Sequence, residues 1–197
     1  MLTHTFNQEQ LSDFVLCVVQ AEFENIEQER MKTTEGQSEE EARLEKDLLL
    51  QNVRLRISEI LPTFPLIEMD AIEAFFERGV FSDAPIVYHA GLAKLDCNMT
   101  KAQMDALLRE AYRAENLVTA TRIRNEGGTV IPMSETDEAA RLEEAYKRTW
   151  QVHYNTVQRL RKIIPHFPEI HPEAIFDFYA SELNEDTPFV YFDRDSG

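Results

Sequence analysis

Residues 60–76 read ILPTFPLIEMDAIEAFF, and residues 163–179 read IIPHFPEIHPEAIFDFY. The two stretches align without a gap at an offset of 103, which sets Pro62 against Pro165, Phe64 against Phe167, Pro65 against Pro168 and Ile67 against Ile170. The same offset reaches back to Arg56 and Arg159, and forward through Ala71/Ala174, Phe75/Phe178, Asp83/Asp186 and Pro85/Pro188 to Tyr88/Tyr191. One register kept this long marks an internal duplication. Further upstream the likeness fades and the offset drifts: EARLE at Glu41 resembles AARLE at Ala139, and Ala21-Glu22 resembles Ala114-Glu115. Short insertions in the second copy account for the drift.

The chemistry of the duplicated stretch defines a corner. Each proline pushes its predecessor out of the helical region, so Pro62 and Pro165 end a preceding helix and the phenylalanine that follows is turned back toward the core. Working outward, Leu11, Phe14, Val15, Val18 and Val19 recur at three- and four-residue spacing and predict a helix reaching about Met31. Ser38 followed by glutamates predicts the cap of a second helix, striped by Leu44, Leu48, Leu55 and Leu61. A short corner helix is expected over Ile67–Arg78.

The second copy repeats this order, with Met104, Leu107, Leu108, Ala111 and Val118 on one helix. Leu142, Tyr146, Trp150, Val157, Leu160 and Ile164 stripe the next, and Thr100 is placed to cap the first of the pair. The expected fold is all-α: a single-domain helical bundle of two tandem, pseudo-symmetric copies of a helical hairpin plus a short corner helix. Copy 1 spans about residues 8–90, a linker residues 91–100, and copy 2 about residues 101–192.

Charge narrows the function classes. The 197 residues carry 20 basic and 36 acidic side chains, a formal net charge of −16. Residues 1–99 hold 8 basic and 19 acidic groups, net −11, against 12 and 17, net −5, in residues 100–197. Direct nucleic-acid binding, which needs clustered lysine and arginine, is not expected. No apolar run reaches the ~20 residues of a membrane span, and the start MLTHTFNQEQ lacks a signal-peptide pattern. A cytoplasmic setting is the expectation, with Cys17 a small core hydrophobe and Cys97 a loop thiol.

Candidate chemistry is sparse. His166, Glu169 and His171 lie close in the second corner, but the first corner has no matching ligands, so no metal and no cofactor is expected. Glu22 and Glu115 fall near the core-facing side of their helices, yet the Glu-x-x-His pairs of a di-iron bundle are absent. His153 lies on the apolar stripe beside Trp150 and reads as a satisfied core histidine. The repeated Arg56 and Arg159 are expected to pair with Asp83 and Asp186.

These observations predict a non-enzymatic, acidic, helical protein-binding module that engages a basic partner surface, as an inhibitor, immunity or antagonist protein does. Its expected contact residues are Glu24, Glu27, Glu39 and Glu40, with Phe81 and Tyr88 as aromatic anchors. One alternative is an enzyme or small-ligand binder with a pocket between the copies lined by Glu22, Glu115, Tyr146 and His153. Another is a structural component of a larger assembly. The sequence does not specify an oligomeric state.

Overall fold

The computed structural model describes residues 1–30, 39–64, 94–125, 138–170 and 191–192. The elements run β1 (Leu2–Asn7), α1 (Gln8–Arg30), α2 (Glu39–Ile60), β2 (Lys94–Met99), α3 (Lys101–Asn125), α4 (Glu138–Ile163), β3 (Glu169–Ile170) and β4 (Tyr191–Phe192). The expected corner helix at Ile67–Arg78, its counterpart, the Ser38 cap, Asp83 and Asp186 lie outside the described residues.

Helices α1 and α3 form the centre. Their mutual interface is the most extensive between any two described helices; α2 packs on α1 and also meets α3, while α4 packs on α3 and also meets α1. The periodic residues explain this. Leu11, Phe14, Val15 and Val18 of α1 are fully buried, as are Leu107, Leu108, Ala111 and Tyr112 of α3, so each central helix is apolar round a wide arc. The outer helices bury narrower faces: Leu49, Leu50, Val53, Ile57 and Ile60 on α2, and Val152, Thr156, Leu160 and Ile163 on α4. The stripe expected to be buried on α2 is therefore displaced, because Leu44, Leu48 and Leu55 are 64%, 54% and 56% exposed. On α4, Tyr146, Trp150 and Tyr154 likewise face outward.

The all-α expectation is corrected by an antiparallel strand pair. Residues 91–100 are not simply a linker, since β2 occupies Lys94–Met99 and pairs with β1 in the register Leu2↔Met99, His4↔Cys97 and Phe6↔Leu95. Side chains alternate as a half-buried ribbon requires. His4, Phe6, Cys97 and Met99 point into the core, while the outer face carries cross-strand hydrogen bonds from Thr3 Oγ1 to Asn98 Oδ1 (2.7 Å) and from Thr5 Oγ1 to Asp96 Oδ1 (2.6 Å). Cys97 is accordingly a buried strand residue instead of a loop thiol, and burial raises its pKa.

Each strand runs straight into a capped helix. Asn7 Oδ1 accepts from Gln10 N and Gln10 Oε1 accepts from Asn7 N, both at 2.9 Å. At the start of α3, Gln103 N donates to Thr100 Oγ1 (3.3 Å) and Thr100 N to Gln103 Oε1 (2.7 Å). These reciprocal boxes satisfy amide groups that a helix start otherwise leaves open. Asn7→Ala and Thr100→Ala should each lower stability by about 1 kcal/mol in urea unfolding monitored by circular dichroism, whereas glycine at either position should cost only a few tenths.

The two proline corners make the same hydrogen bonds. Leu61 N donates to Ile57 O and Phe64 N to Leu61 O at the first; Ile164 N donates to Leu160 O and Phe167 N to Ile164 O at the second. Phe64 packs on Phe14 with ring centroids 5.9 Å apart, and Phe167 is buried at the end of α4. Beyond the second corner, Glu169 and Ile170 pair with Phe192 and Tyr191.

Candidate functional site

Turns of the central helices that face one another carry charge as well as hydrocarbon. Gln20, Glu22, Glu110, Arg113 and Glu115 are all buried, and the outer helices each send in one arginine. Such groups are tolerated only when paired, because an isolated charge in low dielectric costs several kcal/mol.

On the α4 side, Arg159 answers that requirement fully. Its Nε donates to Glu115 Oε1 at 2.7 Å, Nη2 stands at the same distance from that oxygen, and Nη1 donates to Gln20 Oε1 at 2.8 Å. One guanidinium therefore joins α1, α3 and α4. It sits in an open cleft of about 390 Å³ whose walls include Asp13, Leu16, Val118, Asn155, Gln158 and Lys162.

On the α2 side the arrangement is looser. Arg56 Nε lies 3.5 Å from Glu22 Oε1, and its Nη1 reaches the exposed Glu59 at 3.2 Å. Beneath it, Arg113 Nη1 donates to Glu110 Oε1 at 3.2 Å, while Glu110 Oε2 is buried without a hydrogen-bond partner. Burial pushes the Glu110 carboxyl up to about 7, with the nearby Glu22 adding to the rise and Arg113 and Arg56 opposing it. Cys17, on α1, is wholly enclosed, and burial raises its thiol to about 12, far from the thiolate a nucleophile needs.

A second, smaller pocket of about 190 Å³ lies at the lower end of α4, between His153, Val157 and Leu160 on the helix and Phe167, Pro168 and Ile170 of the corner. His153 is half-buried, its Nδ1 has no hydrogen-bond partner, and desolvation lowers its pKa. It is thus not the satisfied core histidine expected. Its ring stacks edge-on to Trp150 (5.8 Å), which meets Tyr146 in turn (5.9 Å).

The four residues expected to line one pocket are therefore distributed. Glu115 lines the larger cleft, His153 the smaller, Tyr146 is exposed on α4, and Glu22 lies at the α1–α2 contact. Arg159 pairs with Glu115, and Arg56 with Glu22 and Glu59; the expected partners Asp83 and Asp186 lie outside the described residues. Of the expected partner-binding residues, Glu24 and Glu27 fall on α1 and Glu39 and Glu40 on α2, their side chains outside the described set; Phe81 and Tyr88 are also outside it. The sequence reading missed Gln20, Glu110 and Arg113, although polar residues inside an apolar stripe are its available signal.

His166 is tied elsewhere. Its Nε2 donates to the Thr3 carbonyl at 3.2 Å, and its ring lies 5.0 Å from that of His4; burial and this neighbour both lower the His4 pKa. Among the described residues no group of three or more His, Cys, Asp or Glu side chains is placed to hold a metal ion. No described helix is long and apolar enough to cross a membrane. Comparison with known proteins gives no match to a family model, a curated protein or a solved structure.

Proposed function

We propose that this protein is a non-enzymatic helical binding module that engages a basic protein surface through the outer face of α2 and the adjoining end of α1, acting as an inhibitor or antagonist of that partner. The observation that carries the reading is the leucine stripe of α2. Leu44, Leu48 and Leu55 stand exposed on the side opposite the buried Leu50, Val53 and Ile57, on a helix whose first nine residues include Glu39, Glu40, Glu41, Glu45 and Asp47. Exposed apolar side chains on a helix this rich in acidic residues suit a partner that offers an apolar groove rimmed by lysine or arginine: the hydrocarbon supplies affinity, and the charge supplies rate and selectivity.

The interior supports the same reading. The buried carboxylates are turned toward arginines of the chain itself, and the Cys17 thiol is protonated and enclosed. A tandem duplication fits the two strand-to-helix units and the two matched corners, and it makes the chain one domain whose central helices come from different copies. Two buried free thiols suit the reducing conditions of a cytoplasmic setting.

A specific observation favours a second reading, binding of a small polar ligand. The cleft beside Arg159 lies between α1 of the first half and α3 and α4 of the second, and its volume falls in the range of ligand sites. Its central arginine is already committed to Glu115 and Gln20, which places this reading second.

The test is capture by immobilised protein from native extract at low salt. A basic protein should be retained at about 50 mM salt and released near 500 mM, as screening of exposed charges requires. Retention should disappear when Glu24, Glu27, Glu39 and Glu40 become lysine, and separately in Leu48→Glu. Capture indifferent to both changes would overturn the assignment of the surface.

A further inference from the structure

From Ala145 to Pro168 the chain holds no aspartate or glutamate and five cations, Lys147, Arg148, Arg159, Arg161 and Lys162, in a protein of net charge −16. Arg159 is turned inward to Glu115; the other four are exposed, Lys162 beside the larger cleft. At about 3.6 residues per turn, Tyr146, Trp150, His153, Tyr154, Val157 and Arg161 fall within an arc of about 100° on the flank of α4 away from that cleft, and they span about 22 Å along its axis. Tyr146, Trp150 and Tyr154 face solvent, and the rings of Tyr146, Trp150 and His153 meet edge-on in series. Exposed apolar surface that is continuous along a helix marks a face that meets something else. The stripe ends at the pocket of about 190 Å³, where Val157, Leu160, Phe167 and Ile170 offer hydrocarbon and Arg161 a charge. In the same wall stands His153, whose Nδ1 is buried without a hydrogen-bond partner.

We infer that this flank of α4 binds an acidic amphipathic helix of another protein, seated along the aromatic stripe with one large apolar side chain in the pocket. The face is separate from α2, so the inference goes beyond the reading given above. Three observations set the chemistry of the occupant. A straight line of apolar groups about 22 Å long fits the apolar positions of a helix of about four turns, the usual way an amphipathic helix is held. Lys147 and Arg161 stand near the two ends of that line with no acidic residue between them in the sequence, so the stripe favours aspartate and glutamate beside it and rejects lysine and arginine. The buried Nδ1 of His153 costs free energy until a polar group of the occupant reaches it. Nucleic acid and anionic bilayers match less well. They spread charge well beyond the stripe, where the rest of a chain of net charge −16 repels them, whereas a short helix need touch the stripe alone.

The test presents the purified full chain to a phage-displayed library of random peptides of about 16 residues, long enough for four helical turns. Wild type should enrich peptides with aspartate and glutamate in excess of lysine and arginine and with apolar residues three and four apart. The double variant Lys147→Glu, Arg161→Glu, with unchanged helix content by circular dichroism, should enrich them about tenfold less. Trp150 is the only tryptophan of the chain and 37% exposed, so it reports the contact directly. A selected peptide made synthetically should shift its emission to the blue and shield it from acrylamide. Affinity should fall about tenfold in Tyr154→Ala and again between about 50 and 500 mM salt. Oligothymidylate and phosphatidylglycerol vesicles should leave the emission unchanged. Enrichment of neutral or basic peptides, enrichment indifferent to the charge reversal, or no enrichment overturns the inference. So does a Trp150 response to the oligonucleotide or the vesicles in place of the peptide. An emission that shifts when the protein alone is concentrated would put a second copy on the face and overturn it equally. None of these substitutions touches α2, so failure here leaves the capture test of that face to be decided by itself.

Discussion

Replacing Arg159 by methionine is expected to lower the unfolding free energy by about 3–5 kcal/mol, the range seen when one partner of a buried ion pair is removed. The geometry sets this size. Glu115 is only 6% exposed, and the guanidinium that pairs with it also donates to Gln20 from a neighbouring helix, so a single truncation takes a contact from two buried groups. For a chain of this length the loss corresponds to a fall of roughly 10 °C in the thermal midpoint. The double variant Arg159→Met, Glu115→Met should regain most of the loss, because hydrocarbon of similar volume then replaces the pair without leaving a charge behind. Arg56→Met should cost much less: Arg56 is about one-third exposed, its distance to Glu22 is 3.5 Å, and water screens what it loses. Equal losses at the two arginines, measured by urea unfolding, would show that their different burial does not govern their contributions.

The second large effect is a pH dependence centred on Glu110. Its carboxyl titrates near 7 in the folded chain against 4.5 when exposed, so the folded state holds the proton more tightly. Between those values the unfolded chain ionises while the folded chain remains protonated, and unfolding releases a proton. Stability contributed by this group is therefore complete below about pH 4.5 and is lost as pH rises through 7. A difference of this size amounts to about 3 kcal/mol at 1.36 kcal/mol per unit of pKa. Glu110→Gln keeps the shape and the acceptor facing Arg113 but cannot ionise. Relative to wild type it should be near neutral at pH 4.5 and more stable by about 3 kcal/mol at pH 8. Taking the difference between the two proteins cancels the titration of the many surface carboxylates. A flat difference curve across that interval would show that Glu110 is already ionised in the folded state.

The long helices were legible because their signal is redundant: Leu11, Phe14, Val15 and Val18 repeat one spacing several times, and all are buried. The corners were legible for a different reason, since Pro62 and Pro165 impose their geometry locally. The strand pair was not found, although LTHTFN and KLDCNM alternate properly, because six residues give only three inward positions and here one of them is a histidine. Pairing partners 87 to 97 positions apart leave no local trace.

The misassigned face of α2 has a physical cause. Two leucine sets, 44/48/55 and 49/50 with Val53 and Ile57, satisfy helical periodicity equally, and only the neighbours of α2 decide which one is covered. For the polar interior the sequence showed that Glu22, Glu115, Arg56 and Arg159 recur but not who meets whom. The aspartates suggested by nearness along the repeat lie outside the described residues, and the glutamates are brought to both arginines by the crossing of helices from different parts of the chain, which no local spacing reveals.

The ribbon of β1 and β2 also orders events in time. Leu2 finds Met99 only after half of the 197 residues have been synthesised, and closing so long a loop carries an entropic cost that local helix formation does not. Until then Phe6 has no strand beside it and its greasy ring stays available to wrong neighbours. The packing of α1 against α3 holds the two distant segments near one another, so the ribbon depends on the helices for the closure it cannot obtain locally.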